Sequence, residues 1–341
     1  MSKHYFITGG AGFIGSNYAQ RLLSRGKQVT IFDSLVRAGA PKNIAWLKET
    51  FGENGFRLIV GDVANGALLT EAAKDADVIV HLAGQVAVTT SVTNPRGDFE
   101  ANALGTFNAL EAARASGKDP VFIYSSTNKV YGSMEDVALT EEPTRWRYAD
   151  LEHGCPESQP LDFHSPYGCS KGAGDQYVRD YARVYGLRSV VFRQSCIYGP
   201  RQFGIEDQGW VAWFVIAAVT GRPITIYGDG KQVRDILHVR DLLDAYDAAV
   251  EKIDVAAGKV YNLGGGPENV MSVWAEFGPI LERLLGKKIE VARGDWRPGD
   301  QKVFYADIRK AERELGWIPK IGVEQGVEML FEWVRENQHL F

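Results

Sequence analysis

Thr8-Gly9-Gly10-Ala11-Gly12-Phe13-Ile14-Gly15 is the stretch whose reading decides the fold. It follows a short β-rich run, Tyr5-Phe6-Ile7, and leads into a helical run, Ser16 to Ser24. Gly10, Gly12 and Gly15 have the spacing G-x-G-x-x-G, and Gly9, Gly12 and Gly15 the variant G-x-x-G-x-x-G. Glycine lets such a turn tighten, lets its backbone approach a pyrophosphate, and lets the helix pack close to its strand. The free N–H groups of the helix N-terminus then face the anion. A glycine turn by itself could equally hold no ligand, so the surroundings have to decide.

Working outward, Val29-Thr30-Ile31-Phe32, Leu58-Ile59-Val60, Val78-Ile79-Val80 and Val121-Phe122-Ile123-Tyr124 are further short apolar runs. Helical stretches such as Ala103 to Ala115 separate them. Near-continuous apolar strands alternating with helices predict an α/β chain with a doubly wound parallel sheet covered on both faces. Ser189 to Phe192, after the helical stretch Ser170 to Tyr185, reads as a sixth strand. Past about residue 195, Gly- and Pro-rich turns separate shorter segments, and Asp235 to Val239 and Tyr261 to Leu263 read as strands returning to the sheet. The expected domains are 1–194 plus about 235–263 for the dinucleotide, and about 195–234 and 264–341 for a smaller C-terminal substrate lobe. That lobe takes in the helical runs Val273 to Leu285 and Val323 to Asn337. The polar stretch Glu141 to Pro160 is expected to be a loop.

Asp33 ends the second strand. A carboxylate there accepts hydrogen bonds from ribose hydroxyls and repels a 2′-phosphate, which favours NAD over NADP. Arg37 stands against this, because a nearby arginine can accommodate that phosphate.

The net charge of −5 offers no basic surface to a nucleic acid. No apolar run reaches the roughly 18 residues that span a bilayer, and Met1 to Ile7 lacks the apolar core of a secretory leader. Cys155, Cys169 and Cys196 have no metal-ligand spacing. The expectation is a cytoplasmic protein with no metal, no membrane partner and no nucleic-acid partner.

Tyr167-Gly168-Cys169-Ser170-Lys171 sets a tyrosine and a lysine four residues apart, on one face of a helix. A tyrosine is a poor base at its ordinary pKa of about 10. A neighbouring ammonium and a cationic nicotinamide are expected to lower that value, so that Tyr167 can take a proton from a sugar hydroxyl. Thr127, in Ser125-Ser126-Thr127, ends the fifth strand, where open sheets hold their ligands.

These residues resemble the extended short-chain dehydrogenases/reductases, the superfamily of NAD-dependent nucleotide-sugar epimerases and dehydratases, over essentially the whole chain. The resemblance implies a catalytic triad of Thr127, Tyr167 and Lys171. It implies cofactor contacts from Gly9, Gly12, Phe13, Ile14, Gly15, Asp33, Ser34, Arg37, Asp62, Val63, Leu82, Ala83, Gly84, Gln85, Asn102, Ser125 and Gln194, as well as from Tyr167 and Lys171. Longer segments narrow it. Ala83 to Ala87, Thr127 to Gly132, Leu161 to Gly172, Arg201-Gln202-Phe203, Asp207 to Val211 and Gly230 to Asp235 are similar to the epimerases that act at C2 of CDP-linked 3,6-dideoxyhexoses. The dehydratases carry an acidic pair after the triad threonine; Asn128 and Lys129 stand there instead and cannot supply an acid and a base for eliminating water.

On the substrate side the resemblance implies diphosphate contacts from Arg234 and Arg297, as planar multi-donor cations suit. It implies nucleobase contacts from Thr225, Ile226 and Tyr227, and further contacts from Gln208, Gly209, Val211 and Asp300. Thr89, Thr90, Asn128, Lys129, His164 and Cys196, with Thr127, are expected around the sugar. The activity implied is C2 epimerisation of a CDP-sugar through a 2-keto intermediate. A 4-epimerase of UDP-hexoses with the same triad and a non-catalytic NAD-binding sensor are the alternatives; a sensor has no need of all three triad residues. Family analogy further implies a homodimer or homotetramer built on the helices Ala103 to Ala115 and Ser170 to Tyr185.

Overall fold

The computed structural model describes residues 2–297 and 301–341. In chain order the first elements are β1 (His4–Thr8), α1 (Phe13–Ser24), β2 (Gln28–Asp33), α2 (Gly39–Phe51), β3 (Arg57–Val60), α3 (Gly66–Ala73) and β4 (Val78–His81). Then come α4 (Val88–Thr93), α5 (Pro95–Phe99), a π-helical turn (Glu100–Leu104), α6 (Gly105–Ala115) and β5 (Val121–Thr127). A hairpin of β6 (Leu139–Glu141) and β7 (Trp146–Tyr148) precedes α7 (Ser165–Tyr185), β8 (Ser189–Gln194) and β9 (Cys196–Tyr198). The rest of the chain forms α8 (Trp210–Thr220), β10 (Ile224–Tyr227), β11 (Val233–His238), α9 (Val239–Glu251), α10 (Ile253–Ala256) and β12 (Val260–Leu263). It ends with β13 (Val270–Ser272), α11 (Phe277–Leu285), β14 (Val291–Gly294), β15 (Val303–Phe304), α12 (Arg309–Leu315) and α13 (Val323–Glu336).

Two compact units emerge. The first comprises Met1–Val130, Ser165–Arg193 and Ala245–Tyr261; the second comprises Tyr131–His164, Gln194–Asp244 and Asn262–Phe341. The first is organised by a seven-stranded sheet of order β12-β8-β5-β4-β1-β2-β3. β1 pairs in parallel with both β2 and β4, and β3 and β5 extend the sheet in parallel on either side. The strand order therefore reverses between β1 and β4, where doubly wound sheets bind ligands beyond the strand ends. Phe6, Ile79, Phe122, Leu110 and Val178 join helices to this sheet in one buried cluster. Truncating one of its large side chains to alanine costs about 3–5 kcal/mol.

The second unit packs α8, α11 and α13 around Phe214, Ile216, Phe277, Leu330 and Phe331. β11 does not return to the large sheet as the apolar pattern suggests. It pairs with β13 antiparallel and with β15 and β9 in parallel. An apolar run marks a strand but carries no information on its partner. β12, by contrast, takes the edge position beside β8. The stretch expected to be a loop holds β7, because Tyr148 lies opposite Leu139, is buried, and donates its hydroxyl to the Val303 carbonyl at 3.0 Å. Helix α7 starts at Ser165, ahead of the expected Ser170, so Tyr167 lies within its first turn. Among the described residues no helix is long and apolar enough to cross a membrane.

Candidate active site

The turn between β1 and α1 is held by its own backbone. Gly9 N–H donates to Phe32 O at 2.8 Å and Gly12 N–H to Gly9 O at 3.0 Å. Gly9 has φ +69°, and a Cβ there would lie 2.7 Å from the Ala83 nitrogen. A Cβ on Gly15 would strike the Gly9 carbonyl, so helix and turn can approach this closely only as glycines. Asp33 closes the turn from β2: its carboxylate accepts from Ala11 N–H at 3.0 Å and Leu35 N–H at 2.8 Å. Burial lifts the Asp33 carboxyl above its ordinary range, against the pull of those two N–H groups and the Arg37 charge. Phe13 and Ile14 begin α1, Ser34 follows Asp33, and Arg37 is exposed. Asp62 is exposed and caps its own turn by accepting from Ala64 N–H at 2.9 Å, whereas Val63 is buried.

The end of β4 is wired into the helices by buried polar groups. Leu82 N–H donates to Thr8 O at 3.1 Å and Ala83 N–H to the Thr8 hydroxyl at 3.3 Å. His81, fully buried, bonds Thr8 Oγ1 at 2.7 Å through Nδ1 and Thr106 Oγ1 at 3.1 Å through Nε2, and it stacks on Tyr124. Burial first, and the Lys171 charge second, push its pKa down to about 3. Asn102, on the π-helical turn, donates from Nδ2 to Gln85 O at 3.0 Å, leaving its buried Oδ1 without a partner among the described residues. Gly84 provides the space, since a Cβ there would strike that oxygen.

Thr127, Tyr167 and Lys171 are brought together and are all buried. The Thr127 hydroxyl lies near enough to the Tyr167 phenol to pull its pKa down. Lys171 Nζ donates to the Ser125 carbonyl at 2.5 Å and lies 4.4 Å from the centre of the Tyr124 ring. The expected lowering of the Tyr167 pKa is not what this geometry gives. Burial pushes the phenol up to about 12, more than the Thr127 hydroxyl pulls it down, and Asp98 adds to the rise. Burial likewise pulls the Lys171 ammonium down to about 8, while Asp175 and Asp98 work in the other direction. Asn128 is buried and accepts from Thr127 Oγ1 at 3.4 Å; Lys129 N–H donates to the same hydroxyl oxygen at 3.2 Å. Thr89 and Thr90 lie exposed on α4 of the same unit.

In the second unit Arg234 is buried on β11 and donates to Val233 O at 2.7 Å. Arg297 lies 4.0 Å from the centre of the Tyr227 ring and 3.3 Å from Asp207. Thr225, Ile226 and Tyr227 lie on β10, paired with β14. Gln208 closes a tight turn with Ile205, Gly209 caps α8 with φ +72°, and Val211 is buried on that helix. Cys196 Sγ accepts from Trp210 Nε1 at 3.4 Å, and Gln194 ends β8, buried. His164 pairs with Asp162 at 2.8 Å at an exposed position. Asp300 lies outside the described residues. The sequence reading missed Asp98, Ser170, Asp175 and Arg193, which surround the triad residues in the first unit. Arg193 carries a local signal, a cation closing the apolar run Val190-Val191-Phe192, whereas Asp98, Ser170 and Asp175 carry none. Among the described residues no group of His, Cys, Asp or Glu could hold a metal ion.

A family model described as GDP-mannose 4,6 dehydratase matches residues 6–330. The chain is 45% identical to the CDP-paratose 2-epimerase of Salmonella typhi over 336 residues, 96% of this chain and 98% of that protein. It is 32% identical to the putative UDP-glucose 4-epimerase of Methanocaldococcus jannaschii, over 97% of this chain and 98% of that protein. The solved structure of a double mutant of DesIV, a dTDP-glucose 4,6-dehydratase from Streptomyces venezuelae with NAD bound, has a TM-score of 0.84 at 30% identity. It covers 99% of this chain and 98% of that one.

His81 makes stability depend on pH. Its folded pKa, about 3, lies below the unfolded value near 6.5, so the unfolded chain takes up the proton first. The contribution is complete above pH 6.5 and is lost as pH falls towards 3. Between pH 7 and 5 this one group should cost about 2 kcal/mol of unfolding free energy. Denaturant unfolding at both pH values should show that loss reduced in His81→Gln; an identical loss in both proteins would contradict the assignment.

Proposed function

The chain belongs to the GDP-mannose 4,6 dehydratase family, NAD-dependent epimerases and dehydratases of nucleotide sugars, and on that premise we propose that it inverts C2 of a CDP-activated sugar. The observation that carries this reading is the 45% identity to a CDP-paratose 2-epimerase along nearly the whole of both chains. Asn128 and Lys129 beside Thr127 support it, since a carboxamide and an ammonium are a poor acid–base pair for dehydration.

The residues present fit NAD. The glycine turn leaves a cradle that a Cβ would fill, Asp33 suits ribose hydroxyls, and the buried Asn102 Oδ1 offers an acceptor with no partner among the described residues. When bound, NAD would supply the hydride acceptor for C2, and then the hydride donor to the opposite face of the 2-keto sugar. Tyr167 takes the O2 proton as that bond to hydrogen breaks and gives it back on return. Thr127, beside the phenol, holds O2 within reach. The Lys171 ammonium, charged below about pH 8, stands one turn along α7 from Tyr167. Arg234 and Arg297 hold the diphosphate, and Thr225, Ile226 and Tyr227 lie against the base. This grip keeps the 2-keto sugar bound while its ring turns over.

Offered CDP-paratose and UDP-glucose side by side, the purified protein should convert the first to CDP-tyvelose. Conversion of UDP-glucose alone would establish the second reading, a 4-epimerase, which the 32% identity to a putative UDP-glucose 4-epimerase supports. Tyr167→Phe should keep binding and lose roughly 10²–10⁴ in rate. A loss under tenfold would mean that another group carries the proton.

The same reading includes a homodimer or a dimer of dimers through α6 and α7. Phe107 and Tyr177, in edge contact on these helices, are exposed, as are Val184 and Tyr185. Exposed apolar clusters of this kind mark interfaces. Sedimentation at micromolar concentration should give at least a dimer, and a monomer would remove this part of the proposal.

A further inference from the structure

Asp98 is a carboxylate with no evident reason to be buried. It sits in α5, a single turn of helix, and is 1% exposed. Removing a carboxylate from water is costly unless hydrogen bonds replace its hydration, and here three side chains do so. Gln85 Nε2 donates to Oδ1 at 2.9 Å, Asn102 Nδ2 donates to Oδ1 at 3.1 Å, and the Ser170 hydroxyl donates to Oδ2. Asn102 Nδ2 also lies 3.2 Å from Ser170 Oγ. The three donors come from the end of β4, the π-helical turn and α7.

Each bond has a consequence near the triad. Ser170 immediately precedes Lys171 on α7, and its hydroxyl also lies 3.2 Å from the Tyr167 carbonyl. Fixing Ser170 therefore fixes the turn that carries both triad residues. Asn102 is held through Nδ2, so its amide cannot rotate without placing its carbonyl oxygen against the carboxylate. That constraint aims Oδ1 at the space beside Gly84. A π-helical turn is a rare distortion found mostly at functional sites, and this one sets Asn102 within reach of Asp98.

We infer that Asp98 is a positioning residue for the triad, holding Gln85, Asn102 and Ser170 in one bonded arrangement around the turn of α7 that carries Tyr167 and Lys171. The inference rests on the proposed oxidoreductive use of Tyr167 and Lys171, though not on the identity of the sugar. Asp98 also acts through its charge, which supports protonation of Lys171 and raises Tyr167. The other groups facing Lys171 are Asp175 on its own helix, which also pairs with Arg193 of β8 and supports the Lys171 charge more than Asp98 does, Tyr124 and the Ser125 carbonyl on β5, and His81 on β4.

The test uses the full-length holoenzyme labelled with ¹³Cε-lysine, with Lys171→Met assigning the Lys171 signal. Asp98→Asn keeps the shape and removes the charge, so the Lys171 titration midpoint should move to lower pH. With whichever nucleotide sugar the wild type turns over, kcat should fall at least tenfold with KM within about threefold. A purely structural role would not move the midpoint. An unchanged midpoint with kcat within twofold of wild type overturns the inference. Should Asp98→Asn fail to fold, Ser170→Ala removes one link and keeps the charge; a tenfold lower kcat supports the inference, and full kcat overturns it. A wild type inactive on CDP- and UDP-sugars would refute the proposed substrates, and the Lys171 midpoint, which needs no substrate, would still decide the role of Asp98.

Discussion

A buried ion pair fixes the helix on which the chemistry depends. Asp175, wholly buried on α7, is gripped by Arg193 of β8 through two bonds of 2.9 Å and by the Ser126 hydroxyl at 2.8 Å. A pair of this kind adds little net stability over an apolar replacement, but losing one partner leaves an uncompensated charge and costs about 3–5 kcal/mol. Its value lies in definition. α7 has one acceptable rotation against β5 and β8, and Tyr167, Ser170, Lys171 and Asp175 then share one face at helical spacing. Lys171, one turn before Asp175, gains a compensating charge that works against the burial lowering its ammonium.

The resulting electrostatics differ from those of a pre-ionised base. Tyr167 is uncharged over the physiological range, with its phenol near pKa 12. A proton acceptor of that kind becomes effective only when positive charge is brought beside it. In the proposed reaction the oxidised nicotinamide would bring such charge, so the phenolate would be more readily formed when the hydride acceptor is in place. Anchoring is a different task, and the proposal gives it to residues of the second unit, whose arginines and β10 would hold the nucleotide end.

Much of this was legible in the sequence, for identifiable reasons. β1, β2, β4 and β5 were readable because strands covered on both faces are continuous apolar runs, and the glycine turn because its steric demands admit almost no other residue. Tyr167 and Lys171 declared themselves through helical spacing. Asp98 did not, because its partners lie 13, 4 and 72 positions away and no local pattern links them. The partners of β11 were hidden for the same reason: pairing is a long-range choice. The direction of the Tyr167 shift is not legible in the sequence, because the burial that dominates it is set by long-range packing.

The central claim is that inversion proceeds by removal and return of the same hydride at C2, with Tyr167 handling only the O2 proton. The most direct test is epimerisation of the CDP-sugar in deuterated water, with C2 of the product read by NMR. The account predicts protium at C2 in the inverted product. Deuterium at C2 would mean that the carbon itself exchanges with solvent, and would contradict the account.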